Sequence, residues 1–300
     1  MPLIGFLSSR SSHESAGVLR AFHEGLAETG YSEGRNISIE YRWAEGRYDR
    51  LEALAEDLVR LKVAVLVTTG GEPSARAAKA VNSTISHVFT VGGDPVKIGL
   101  VQGLGRPAGN ATGVSLMTST PEAKRLGLLQ DVAPRALIVG VLVNPHYQEA
   151  QTQLMELQEA ARIIKRTILP LYASNESDID VAFATSVKQG VGALIVTADP
   201  FLLGPRDKIV RLAATYAIPT IYFSREFVEV GGLMSYGANI ATGYKQVGVY
   251  TGRILRGGKP ADPPVVQSRK FDFVVNLKTA NALGLDISPG LLALADEVIE

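Results

Sequence analysis

The chain has 300 residues, 30 Lys plus Arg against 30 Asp plus Glu, and no Cys. That length accommodates two domains of ordinary size, each with its own core, and the aliphatic, Gly-containing composition is that of a folded globular protein. Balanced charge leaves no basic stripe to follow a phosphate backbone, so nucleic acid is not expected as a partner, and the lack of Cys excludes disulfides, thiolate metal sites and cysteine nucleophiles. No apolar run approaches the roughly 20 residues that span a bilayer, so direct membrane insertion of this segment is not expected. The first strand begins at about Leu3, with no charged n-region or cleavage site before it. Both a cytoplasmic protein and a mature domain with its export signal removed fit that start.

Short β-branched apolar runs alternate with segments of 3.6-residue spacing, which predicts parallel sheets flanked by helices. Leu3 to Leu7 reads as a buried strand. Val18, Leu19, Phe22 and Leu26 make one face of a helix that Gly30 ends. Ile37, Ile39 and Tyr41 alternate as a half-buried strand; Leu51, Leu54, Leu58 and Leu61 form the next helical stripe. Val63 to Val67 is the next strand, Ala75 to Val81 the next helix, and His87 to Val91 closes a first series.

A second series opens at Leu137 and repeats the grammar of the first. Ile4-Gly5-Phe6-Leu7 is echoed by Val139-Gly140-Val141-Leu142, Val63 to Thr68 by Gly192 to Thr197, and the strand before Gly92 by Ile218 to Tyr222. The fold class expected is therefore α/β, with two doubly wound parallel-sheet lobes joined by a multi-strand hinge. The Gly- and Pro-rich stretch Gly103 to Gly113 is the candidate first crossing between lobes. Further on, Ser235 to Gly237, a helix through Val247 and Ile254, a helix end at Gly257-Gly258-Lys259-Pro260 and a strand Phe271 to Val275 return the chain to both. Residues 1–115 with about 238–268 are expected to form the N-terminal lobe. Residues 116–237 with about 269–300 form the C-terminal lobe, with a ligand cleft between them.

In open α/β sheets ligands bind beyond the carboxyl ends of the strands. In the first series those ends carry Ser8-Ser9-Arg10-Ser11, Thr69-Gly70-Gly71-Glu72-Pro73-Ser74 and Gly92-Gly93-Asp94-Pro95. In the second they carry Asn144-Pro145-His146-Tyr147, Ala198-Asp199-Pro200-Phe201 and Tyr222-Phe223-Ser224-Arg225-Glu226. Small and hydroxylic residues admit a ligand to the backbone, and a helix start supplies amides for a carboxylate. The helix entered through Gly70, Gly71, Glu72 and Ser74 is the preferred anion site, with ordinary turn and cap chemistry as the other reading. Ser9, Ser74 and the Gly70 and Gly71 amides are the candidates for a carboxylate. Asp94 or Asp199 could hold an amine, unless each only caps its own helix. Tyr147, Tyr222 or Tyr236 would meet a ring, and Arg10, Glu72, Gly93, Asn144 and Phe201 complete the candidate set.

Enzymatic and cofactor motifs are missing. No G-x-G-x-x-G follows a strand, no P-loop or nucleophile elbow occurs, and the four His residues lack metal-ligand spacing. No catalytic residue, metal or cofactor is expected. An α/β enzyme would require a perturbed acid–base pair at the ligand, for which Asp94 with Arg10 or Glu226 with His146 are the only suggestions. The effector-binding body of a transcription regulator would use the same two-lobed architecture, but the chain starts at a core strand without a helix-turn-helix headpiece.

The opening IGFL, the segment GYSEGRNISIEYRWAEG (30–46), the run VGGDPVKIGLVQGLGRPAGNATGVS (91–115), then ADPF, GGLMSYG (231–237) and FDFVVNLKTANALGLDIS (271–288) together resemble the substrate-binding components of ABC-type transporters. The resemblance spans nearly the whole chain and points to the group related to tryptophan-binding receptors. It implies a type 1 periplasmic-binding-protein fold, a small-molecule solute held between closing lobes, a membrane permease as partner, and a periplasmic or extracytoplasmic location with the export signal removed. The solute it implies is a small carboxylate-bearing molecule, an aromatic amino acid or aromatic acid.

Overall fold

A computed structural model describes residues 1–82, 84–118, 121–268 and 270–300. The chain divides into two compact units: Met1–Met117 with Asn239–Arg269, and Thr118–Ala238 with Lys270–Glu300.

Unit 1 contains β1 (Leu3–Ser8), α1 (Ala16–Glu28), β2 (Ser38–Trp43), α2 (Leu51–Arg60), β3 (Val65–Thr69), α3 (Glu72–Val81), β4 (Ser86–Val91) and β5 (Ala111–Ser115). Unit 2 follows with α4 (Glu122–Val132), β6 (Ile138–Val143), α5 (Ala150–Ile163), β7 (Thr167–Tyr172), α6 (Glu176–Lys188), β8 (Ala193–Val196), α7 (Pro200–Leu203), α8 (Arg206–Thr215), β9 (Thr220–Tyr222), α9 (Arg225–Glu229) and β10 (Met234–Ala238). The chain then returns to unit 1 for α10 (Ile240–Leu255) and β11 (Val266–Gln267). It finishes in unit 2 with β12 (Phe271–Asn276), α11 (Leu277–Ala282), α12 (Pro289–Leu292) and β13 (Glu297–Ile299).

The two sheets share one winding. Strand order is β11-β5-β4-β3-β1-β2 in unit 1 and β13-β12-β10-β9-β8-β6-β7 in unit 2. In each, the first strand of the series lies between the second and the third, so the winding reverses at the β1/β3 gap and again at the β6/β8 gap. The segments that echo each other in sequence occupy the same places in the two orders. The sheets are parallel except where β12 pairs antiparallel with β10, Met234 opposite Val275.

The stretch Gly103 to Gly113, expected to cross between lobes, stays in unit 1. Residues 111–115 form β5, in register with β4 from His87 opposite Ala111 to Val91 opposite Ser115. Leu100 and Val101 pack with Phe89, Val91, Ala111 and Val265 in one core cluster. The backbone is pinned as well: Gln102 N–H donates to Pro107 O at 2.9 Å and Val265 N–H to Leu104 O at 2.8 Å. Gly and Pro here shape a packed loop, and the burial of Leu100, Val101 and Ala111 against Phe89, Val91 and Val265 is not visible in its turn-rich composition. The chain leaves unit 1 only after Met117.

Helices α1 and α10 lie backbone to backbone. A Cβ on Gly25 would collide with the carbonyl of Lys245, one on Gly248 with that of Phe22, and one on Gly252 with the Thr29 hydroxyl. Two of those obstacles are main chain and cannot swing away. Gly248→Ala is therefore expected to destabilise unit 1 by about 1–3 kcal/mol, the usual cost of forcing a methyl into a filled contact, read as a lower urea midpoint at unchanged slope.

His87 in β4 is fully buried, with its Nε2 2.7 Å from Thr68 Oγ1. Burial, helped by the Lys79 charge, lowers its pKa from 6.5 to about 4. The folded state thus holds His87 neutral where the unfolded chain already binds a proton, so stability falls as pH drops from about 6.5 toward 4. The loss at the acid end is on the order of 3 kcal/mol. His87→Gln is expected to show a flatter decline of the urea midpoint over that interval than the parent chain.

Candidate strand-end binding sites

At the carboxyl ends of β1 and β3, the winding reversal brings Ser8 opposite Thr69. The chain must then leave both strands without collision. Gly70 and Gly71 solve this with φ of 75° and 87°, a left-handed conformation that side chains rarely adopt. A Cβ on Gly70 would also strike the Ser9 hydroxyl. Ser9 Oγ donates to Gly70 O at 2.5 Å, so its only proton is used to join the two strand ends. As a carboxylate donor, the role read for it from the sequence, Ser9 is already engaged.

Two neighbouring hydroxyls are different. Thr69 Oγ1 and Ser74 Oγ are both buried and have no hydrogen-bond partner. Thr69 ends β3, and Ser74 is the third residue of α3, among amides that have no intrahelical acceptor. The neighbouring Thr68 points to the other face, where it meets His87. Thr69 stands at a strand end in the sequence but is not among the candidate contacts read from it, although alternation in a strand places Thr68 and Thr69 on opposite faces.

The third strand end of unit 1 is tied to the same helix. Glu72, fully buried, accepts the Gly93 N–H. Gly93 O accepts from Ser115 Oγ at 2.7 Å. The Glu72 carboxylate and the Ser115 hydroxyl therefore align the ends of β4 and β5 with the start of α3. Asp94 Oδ1 accepts from Val96 N–H at 2.8 Å, capping its own turn. Arg10 is buried after β1, its N–H on Ser8 Oγ at 3.2 Å and its Nη2 on Glu14 O at 2.8 Å.

Unit 2 repeats the strategy with other residues. Across the β6/β8 reversal, Thr197 Oγ1 donates to Leu142 O at 2.9 Å. Gln153 on α5 holds the next residue from both sides: Ala198 N–H donates to Gln153 Oε1 at 2.9 Å, and Gln153 Nε2 donates to Ala198 O at 3.1 Å. Its signal in the sequence is a polar residue beside Leu154 and Leu157 on the buried stripe of α5. Asn144 Oδ1 accepts from His146 N–H at 3.0 Å. Asp199 caps α7 through Phe201 N–H at 2.7 Å, and it is 1% exposed.

The candidate aromatics separate. Tyr222 is a core residue: its ring stacks on Phe227 at 4.6 Å, and burial pushes its phenol well above the usual range. Tyr147 is buried beside Asn144, its N–H on Asn144 O at 3.0 Å. Tyr236 is half-buried and stacks on Phe271 at 5.7 Å, and Phe201 is half-buried at the start of α7. Among the described residues no group of three or more His, Asp or Glu is arranged to hold a metal, and no helix is long and apolar enough to cross a membrane.

Two α/β units wound alike, each with small polar groups gathered at its winding reversal, have the type 1 periplasmic-binding-protein fold. Residues 8–299 match the ABC transporter substrate binding protein family, and the chain belongs to that family. A relative named tyrosine-binding protein, from Clostridioides difficile strain R20291, is 27% identical over 270 residues, covering 89% of this chain and 76% of that protein. The structure of a Streptococcus pneumonia ABC domain in complex with L-Trp superposes with a TM-score of 0.88 at 25% identity, covering 99% of each chain. A ligand-free, open substrate binding protein with adhesive properties from Clostridium difficile gives 0.69 at 25% identity, covering 100% of this chain and 99% of that one. The family and these relatives are binding proteins, not enzymes.

Gln153→Leu would leave the Ala198 N–H and C=O buried without their partner. The expected loss is about 2–4 kcal/mol from two unsatisfied backbone groups, measured by chemical denaturation.

Proposed function

We propose that this chain is the extracytoplasmic solute receptor of an ABC importer, and that it captures a small carboxylate-bearing solute, an aromatic amino acid or aromatic acid, by closure of its two units. The observation that carries this reading is the pair of buried, partnerless hydroxyls of Thr69 and Ser74 on either side of the Gly70-Gly71 turn. A buried hydroxyl without a partner costs about 1–3 kcal/mol, and a bound carboxylate would accept from both. The amides in the first turn of α3 would add further donors, aided by the positive end of the helix.

Asp199, buried at the end of β8, is the preferred carboxylate for the solute's amine, with Asp94 as the second. Tyr236 and Phe201 offer half-buried aromatic surface for its ring, and Tyr147, buried after β6, is the third aromatic candidate. No bond is made or broken. The solute shifts a population toward a closed state in which both units contact it, and that state docks on a membrane permease. The names of the relatives, which bind tyrosine or L-Trp, support an aromatic amino acid in particular. Glu72 and Ser9 are given framework roles here, because their polar atoms already join strand ends.

The test is thermal unfolding against L-tyrosine, L-tryptophan, L-phenylalanine, aromatic acids and sugars, since a ligand bound only by the folded state raises its stability. An upward shift with aromatic amino or carboxylic acids, and recovery of the ligand unchanged, is the expected result. No shift with any of them, or a chemically altered ligand, overturns the proposal. Thr69→Val and Ser74→Ala sharpen it. Each is expected to weaken binding about tenfold or more, roughly 1.4 kcal/mol, while leaving the ligand-free protein as stable or more stable. A loss of stability without a loss of affinity would assign both hydroxyls to the framework instead.

A further inference from the structure

Among the described residues, the largest fully buried side chain is that of Arg125, on α4. It forms a two-point ion pair with Glu122, one turn earlier and equally buried: Nη2 to Oε1 at 2.5 Å and Nε to Oε2 at 3.2 Å. Packing alone does not account for it, because a buried ion pair is commonly no more stabilising than apolar residues of similar volume. What Arg125 does beyond Glu122 is hold backbone. Nη2 donates to Thr118 O at 2.9 Å and Nη1 donates to Tyr236 O at 3.0 Å.

Those two carbonyls lie at the points where the chain joins the units. Thr118 is the first residue of unit 2, and Tyr236 lies two residues before Ala238, where the chain leaves it. The third connection reaches the same place, because Ala238 pairs with Phe271 and Tyr236 with Phe273 just after the chain re-enters unit 2 at Lys270. The Tyr236 carbonyl also sits past the end of the β9 to β10 pairing, which stops at Ser235 opposite Tyr222.

We infer that Arg125, braced by Glu122, is a positioning residue that holds the unit 2 ends of the connections between the units in one frame, and thereby sets how tightly the protein captures its solute. The part concerning capture rests on the two-unit closure proposed above; the part concerning the frame does not. In such a frame the connecting segments act as one base, so that opening and closing proceed along a single path instead of through independently loosened strands.

Two variants test this. Arg125→Lys keeps the charge but replaces the planar fork with a point donor. The double variant Glu122→Leu/Arg125→Met replaces the ion pair with apolar volume and guards against simple failure to fold, since breaking only one partner is the damaging change. Amide hydrogen exchange without ligand is read first. Exchange at least tenfold faster over residues 116–118 and 236–239, with β6 and β8 unchanged, is the expected result. Uniformly faster exchange through unit 2, or none at all, overturns the frame.

Binding of L-tyrosine and L-tryptophan is read second, in a double variant that melts within a few degrees of the parent. A tenfold or greater loss of affinity is expected, although none of the proposed solute contacts has been altered. Parent-like affinity beside faster local exchange overturns the link to capture. If the parent chain itself binds none of the aromatic solutes, the proposed function fails, and the exchange result still decides the frame.

Discussion

Everything at the candidate site depends on how closely two parallel strand ends can approach where the winding reverses. At β1 and β3 the approach leaves room for a hydrogen at Gly70 but not for a Cβ. The Ser9 hydroxyl fills the gap and bonds to the carbonyl it meets. Once those ends are fixed, the turn through Gly70 and Gly71 must take a left-handed path, and α3 must start where that path delivers it. The buried position of Thr69 and Ser74 follows from this. In unit 2 the equivalent reversal is closed by Thr197 on the Leu142 carbonyl and by Gln153 on Ala198. The two halves solve one geometric problem with different polar side chains.

The polar groups near these ends do different work. Ser9, Glu72, Ser115, Thr197 and Gln153 each bond to a backbone group at a strand end, and in doing so they stiffen the rim from which loops depart. Thr69 and Ser74 satisfy nothing and are not satisfied. Protein interiors rarely tolerate that condition. Polar atoms held dry and unpaired in a rigid frame raise the energy of the empty protein and strengthen the attraction for whatever supplies the missing partner. The binding role proposed for Thr69 and Ser74 rests on this contrast with the framework residues.

Arg125 shows the same economy on a larger scale. A guanidinium is expensive to bury, and Glu122 compensates its charge, yet its remaining donors go to main chain at the junctions of the units. Apolar residues could fill the volume but could not fix the Thr118 carbonyl before α4 or the Tyr236 carbonyl beyond the end of the β9–β10 pairing. Directionality is what the charge contributes there.

Much of the architecture was legible from periodicity. The alternation of buried strands and amphipathic helices, the repeat of Ile4 to Leu7 in Val139 to Leu142, and the lack of catalytic motifs depend on local spacing and residue type, which a sequence displays directly. Gly70, Gly71 and Ser74 were likewise visible as a turn and helix start after a strand. Other features could be decided only by the tertiary structure. Whether Gly103 to Gly113 crossed between domains depended on the burial of Leu100, Val101 and Ala111 against Phe89 and Val265, contacts distant in sequence. Whether Tyr222 faced a solute or the core depended on Phe227. Most of all, Ser9, Thr69 and Ser74 are alike as letters. Only the fold shows that the first has its proton on Gly70 while the other two hydroxyls have no partner, because hydrogen bonding across a strand reversal is a property of distances between chain segments and not of their order.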